Sequence, residues 1–188
     1  MQLSEQELIR RDKLKTLREM GINPYPADLF PLDHTSKSIK ENYEEGKKVI
    51  IAGRLMRKKI QGKASFAEIQ DSEGRIQVYF NRDEICTGED KTAYNDLFKK
   101  LLDLGDFIGV EGELFTTQVG EITVSVKEFK LLSKALKPLP LPSIQSQQYW
   151  QLMIVQYVKE KMQYFMQTLL QVQLTDGTME TQHSQLPL

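Results

Sequence analysis

Between Val49 and Leu132 apolar side chains recur at every second position, and one stretch of helical spacing interrupts them. Such a pattern admits few folds, because side chains alternate across a strand and a period of two therefore marks a half-buried sheet. Val49–Ile60, Lys63–Gln70 and Arg75–Asn81 read as three strands, the last two joined by the turn-rich Asp71-Ser72-Glu73-Gly74. Residues 90–104 read as a helix with Tyr94, Leu97, Phe98, Leu101 and Leu102 on one side. Gly105-Asp106 opens a fourth strand that runs to Gln118, Gly120 turns the chain, and Glu121–Leu132 is the fifth.

Three strands, a helix and two strands is the order of an OB-fold, a small Greek-key barrel that commonly binds oligonucleotides on one face. An open five-stranded α+β sheet has the same element string; size and helix position favour the barrel. The fold class expected is thus mainly β with flanking helices. Ahead of the barrel, residues 4–20 form one predicted helix. Ser4 with Glu7 fits a capping box and Gly21 a stop. Leu8, Ile9, Leu14 and Leu17 make its apolar stripe, and Arg10, Arg11, Lys13, Lys15 and Arg18 fill the rest, as a solvated or a phosphate-facing surface. Residues 22–48, with three prolines, read as a wrapped connection with a short helix near 36–44.

Composition divides the chain. Of 25 Lys+Arg and 26 Asp+Glu, residues 1–142 hold 23 of each; residues 143–188 hold Lys159, Lys161, Glu160, Asp176 and Glu180, with eleven glutamines. Between them Lys137-Pro138-Leu139-Pro140-Leu141-Pro142 can continue neither strand nor helix and reads as a linker. The expected organisation is 1–48 as helix and connection, 49–136 as barrel, 137–142 as linker and 143–188 as a Gln-rich tail. Trp150, Met153, Ile154, Tyr157, Val158, Met162, Phe165, Met166 and Leu169 predict an amphipathic helix over 148–172. A helix this apolar calls for packing or self-association rather than a membrane, since Lys159 and Lys161 alone could meet anionic lipid. No run of 18 apolar residues exists, and MQLSEQELIRR has no apolar signal core, so a cytoplasmic location is expected. The single Cys86 forms no internal disulfide, and two histidines build no His-rich metal site.

In the third strand Ile76, Val78 and Phe80 share one face, leaving Arg75, Gln77 and Tyr79 on the other. In the fifth, Ile122, Val124 and Val126 point inward, and Glu121, Thr123, Ser125 and Lys127 outward. In the second, Ala67 and Ile69 share a face with Ser65, which leaves Phe66 with Glu68 and Gln70. Phe66 is therefore either a core residue in a shifted register or a platform on which a base stacks. Residues 47–63 carry seven Lys/Arg and no acid, on the first strand and the turn before Phe66. Cations beside an aromatic platform suit a single strand: phosphates are neutralised and the ring takes a base. Arg54, Lys58, Lys59, Lys63 and Arg75 are candidate nucleic-acid contacts, and Gln77 and Glu121 can read a base edge.

The stretches IAGRLMRKKIQGKASFAEIQDSEGRIQVYF, LGDFIGVEGELFTTQVGEITVSVKEFKLLSKALKPLPLP and RRDKLKTLREMGINPYP, with HTS at His34–Ser36, closely resemble the N-terminal anticodon-binding domain of bacterial class II lysyl-tRNA synthetases. The resemblance covers residues 1–142. It implies recognition of the uridine-rich anticodon of the lysine tRNA, within an enzyme that joins lysine to tRNA with ATP and Mg²⁺. By position, Phe66 in KASF matches the family's aromatic that stacks on the central anticodon uridine, and Gln77 in GRIQVYF matches the amide beside that base. Glu121 matches the acid that reads a neighbouring base. Lys58 and Lys59 stand where the family often has arginines; the swap keeps charge and loses the planar fork. Residues 143–188 contain neither the FRxE-type nor the glycine-rich ATP-binding motif of the family, so no cofactor is expected for this chain and it is not expected to aminoacylate alone. The competing readings are a general single-strand-binding OB protein and a protein-interaction module.

Overall fold

Five strands close a barrel in the order β1-β2-β3-β5-β4, formed by β1 (Lys48–Gln61), β2 (Ala64–Gln70), β3 (Arg75–Asn81), β4 (Phe107–Thr116) and β5 (Ile122–Ser133). All neighbours are antiparallel except β3 and β5, which pair in parallel from Gln77↔Thr123 to Phe80↔Val126 and so close the ring. The open α+β sheet is thereby excluded. This computed structural model describes residues 2–140. The chain divides into two units, Met1–Leu139 and Pro140–Leu188. The tail helix expected over 148–172, and self-association through it, lie outside the described residues.

Alternation fills the barrel. Leu55, Ile69, Ile76, Val78, Phe80, Ile108, Val110, Val124 and Val126 are all buried. The barrel's end is closed by a helix, α4 (Ala93–Leu101), wound with π-type i→i+5 spacing. Its Phe98 ring stacks on Phe80 at 4.0 Å between centroids, and Phe129 meets both edge-on. Tyr94 donates to or accepts from Ser65 Oγ at 2.7 Å, which explains a serine on the core face of β2. A one-turn helix, α3 (Arg82–Ile85), follows β3 and has no counterpart in the periodicity.

The N-terminal helix α1 (Glu5–Glu19) begins at the expected capping box: Ser4 Oγ accepts from the Glu7 amide at 3.3 Å, and the Glu7 carboxylate accepts from the Ser4 amide at 2.9 Å. It ends at Gly21, whose φ of 75° lies in the left-handed region, where the Ile22 amide donates back to the Leu17 carbonyl. The apolar stripe is corrected. Leu17 is buried, but Leu8 and Ile9 are exposed and Arg10 is buried in their place. Arg10 donates to the carbonyls of Leu104 and Ala135, both at 2.9 Å, and this pins the helix to the end of β5. Beside it Lys134, wholly buried, binds Asp103 and Asp106, and Lys13 binds Asp103. Arg10 and Lys13 thus belong to neither the solvated nor the phosphate-facing surface.

The connection that follows is strapped to the barrel. The Phe30 ring lies on Gly109 so closely that a Cβ there would come within 2.4 Å of it. Asp33 accepts from the Ile50 amide at 2.6 Å, where β1 runs past the end of β2. The short helix α2 (Ser36–Glu41) is fixed by Asp71, whose carboxylate accepts from the Ser36 amide and hydroxyl and from the amides of Glu73 and Gly74.

Candidate nucleic-acid interface

The site begins with an irregularity in β1. Leu55 pairs with Ile69 and Arg57 with Glu68, so Met56 is left as an unpaired bulge. One extra residue exchanges the two faces of everything beyond it. Arg57 and Lys59 now lie opposite Glu68 and Phe66 on the outer face, and Lys58 lies opposite Ala67, on the core side. Strict alternation from Leu55 would have turned Arg57 and Lys59 inward and Lys58 outward.

Lys58 is therefore corrected as a phosphate contact. Its ammonium donates to the carbonyls of Phe98, Lys99 and Leu102 at 3.1, 3.3 and 2.6 Å, at the C-terminal end of α4. These are the acceptors a helix end leaves open, and a cation there also meets the negative end of the helix dipole. Burial lowers its pKa to about 8, with Asp103 opposing the shift.

On the outer face, Arg57, Lys59, Phe66, Glu68, Gln77, Thr117 and Val119 line a cavity of about 280 Å³. Phe66 is half-exposed with its ring open to the cavity, which removes the core reading of that residue. The ring sits 5.0 Å from Tyr79, which in turn meets Phe115 edge-on at 5.9 Å. The three aromatics line an adjoining hollow with Thr117, Gln118 and Val119. Across the floor, Gln77 Oε1 accepts from the Thr123 hydroxyl at 2.8 Å, and Nε2 has no partner among the described residues. Neither Arg57 nor Lys59 forms an ion pair among the described residues. The cavity thus offers a ring, an amide donor and two cations: an aromatic face, a base edge and phosphate charge can be met at once.

The other candidates are placed differently. Arg54 stands near the far end of the β1–β2 pairing with its guanidinium 4.7 Å over the Phe107 ring, in a separate hollow with Leu32 and Gln70. Arg75 is engaged by Glu68 and Gln70, both at 3.0 Å. Lys63 is exposed at the β1–β2 turn. Glu121 is exposed at the start of β5; its backbone exchanges two hydrogen bonds of 3.0 Å with Thr117, and its side chain is not part of the cavity lining. Arg57, Phe115 and Thr123 are the residues that sequence reasoning missed. The alternation that buries Leu114 already turns Phe115 outward, so that signal was present. Arg57 had none beyond its place in the basic run.

The cavity's one carboxylate, Glu68, is paired with Arg75, and among the described residues no group of three or more His, Cys, Asp or Glu could hold a metal ion. Nor is any helix among them long and apolar enough to cross a membrane.

Residues 49–132 match the tRNA anti-codon family, described as an OB-fold nucleic acid binding domain. The chain is 79% identical over 141 residues to a lysine–tRNA ligase of Christiangramia forsetii, a match that covers 75% of the chain and 25% of that protein. It is 52% identical over 146 residues to the lysine–tRNA ligase of Porphyromonas gingivalis (75% and 25%), and 52% over 141 residues to that of a Thermoanaerobacter species (74% and 27%). The chain therefore spans about a quarter of the length of these relatives. Residues 49–132, the five-stranded barrel, are thus an anticodon-binding OB-fold domain homologous to the N-terminal domain of lysine–tRNA ligases.

Proposed function

We propose that this groove binds the anticodon loop of the lysine tRNA in the cytoplasm. The central uridine stacks on Phe66, its edge meets Gln77, and Arg57 and Lys59 take the flanking phosphates. Glu121, beside the turn that carries Thr117 and Val119, reads a neighbouring base. Residues 49–136 are the reading unit, 1–48 brace it, and 137–142 link it to the tail 143–188. The ATP-dependent joining of lysine to tRNA is the activity of the longer relatives, and this chain contributes anticodon recognition to it.

The observation that carries the reading is the convergence of Phe66, Gln77, Arg57 and Lys59 on one cavity. The Phe66–Tyr79–Phe115 row favours a second reading, a general single-strand binder, because such proteins use several aromatics in series. A titration of lysine tRNA against a tRNA of unrelated anticodon separates the two. Selectivity for the lysine tRNA supports anticodon recognition. Equal affinities support the general binder, and no binding leaves a protein-interaction module.

A further inference from the structure

Thr123 stands on the groove face, opposite Gln77 in the parallel β3–β5 pair, yet its exposure is 0%. Its hydroxyl lies 2.8 Å from Gln77 Oε1 and 3.1 Å from the Glu121 carbonyl. We propose that Thr123 is a positioning residue that sets which pyrimidine the groove accepts, by fixing which end of the Gln77 amide faces the cavity. The inference rests on Gln77 being the reader of a base edge.

An amide has a donor end and an acceptor end, and half a turn about its last torsion exchanges them. Uracil carries a carbonyl at the position where cytosine carries an amino group, and an N–H where cytosine has a bare ring nitrogen. A freely turning glutamine can complement either base and so distinguishes neither. The Thr123 proton removes that freedom. Donated to Oε1 along the shorter of its two contacts, it leaves Nε2 as the donor facing the cavity; set against the exocyclic group of the pyrimidine, that donor meets a carbonyl on uracil and another donor on cytosine. Turning the amide over would have Nε2 donate to the Thr123 oxygen and move the hydroxyl proton onto the Glu121 carbonyl at the longer, 3.1 Å contact, so each orientation of the amide is tied to one orientation of the hydroxyl. Burial strengthens the effect, because water is not available to replace what is lost.

The test measures affinities of the whole chain for two anticodon stem-loops that differ only by uridine or cytidine at the central position. The unaltered chain should prefer uridine. Thr123→Val, which keeps the shape and removes the hydroxyl, should reduce that preference about fivefold, and Thr123→Ser should restore it. In a Gln77→Ala background, Thr123→Val should leave the ratio unchanged. If valine prevents folding, Thr123→Ala carries the same comparison. A Thr123→Val chain with lowered melting temperature but an unaltered uridine-to-cytidine ratio would overturn the inference and leave the anticodon reading standing. No base preference in the unaltered chain would overturn that reading and the inference with it. A preference for cytidine would show the hydroxyl turned to Glu121 and would overturn the inference alone.

Discussion

Arg57, Lys58 and Lys59 are three adjacent cations with two destinations: the outer two meet the groove, and the middle one holds three carbonyls at the end of α4. Substitution should separate them. Arg57→Ala or Lys59→Ala should lower the slope of log K against log salt by about 0.7 each and weaken related and unrelated RNAs alike. Lys58→Ala should leave that slope unchanged and cost about 1–3 kcal/mol of stability, read in a denaturant titration, because it strips three partly buried acceptors at the helix end of their donor. Phe66→Ala should do neither. It should weaken binding to a uridine-rich stem-loop by about 1–3 kcal/mol, the loss of one stacked base, with little salt dependence. A salt slope that falls with Lys58→Ala and not with its neighbours would mean that β1 has no bulge in solution.

At the scale of elements, the strands were legible because burial on one face imposes a period of two on the residues themselves. β3 was read to its boundaries, and Ile76, Val78 and Phe80 are its buried residues. What escaped was set by partners distant in sequence. Nothing near Arg10 announces that two carbonyls 94 and 125 residues away will bury it. The bulge at Met56 carries no signal either, since Arg57, Lys58 and Lys59 after it are all cations and either register is equally polar. Thr123 was correctly given to the outer face, but a cover supplied by other segments is not a property of its own strand. The tie between α2 and the β2–β3 turn belongs to this scale too. Burial raises the Asp71 pKa, and the hydrogen bonds from Ser36, Glu73 and Gly74 outweigh it, so the carboxyl titrates below its ordinary value of 3.8. The stability it adds is complete above that value and is lost as pH falls through the lowered one. Asp71→Asn should cost about 2 kcal/mol at pH 7 and progressively less towards pH 2, as denaturation curves at the two pH values would show. An equal cost at both would mean that the charge contributes nothing.

Across the whole molecule, the barrel is closed by β3 and β5, and the first helix is fixed by residues after β5. Both joints unite segments far apart in the chain: Gln77 and Thr123 are separated by 46 positions, Arg10 and Ala135 by 125. Contacts of such separation form late, because the entropy of closing the loop must be met before the contact returns anything. On the ribosome the order is sharper still. The helix emerges before the barrel, and its anchor at Ala135 follows the last barrel strand. It must wait, undocked, while the barrel is synthesised, and it can settle only on a barrel already closed. Arg10→Met should accordingly speed unfolding and leave the folding rate in water nearly unchanged, the signature of a contact absent from the transition state. A slowed folding limb in the chevron would place α1 in the nucleus instead. The helix made ahead of the barrel is thus its latch rather than its seed.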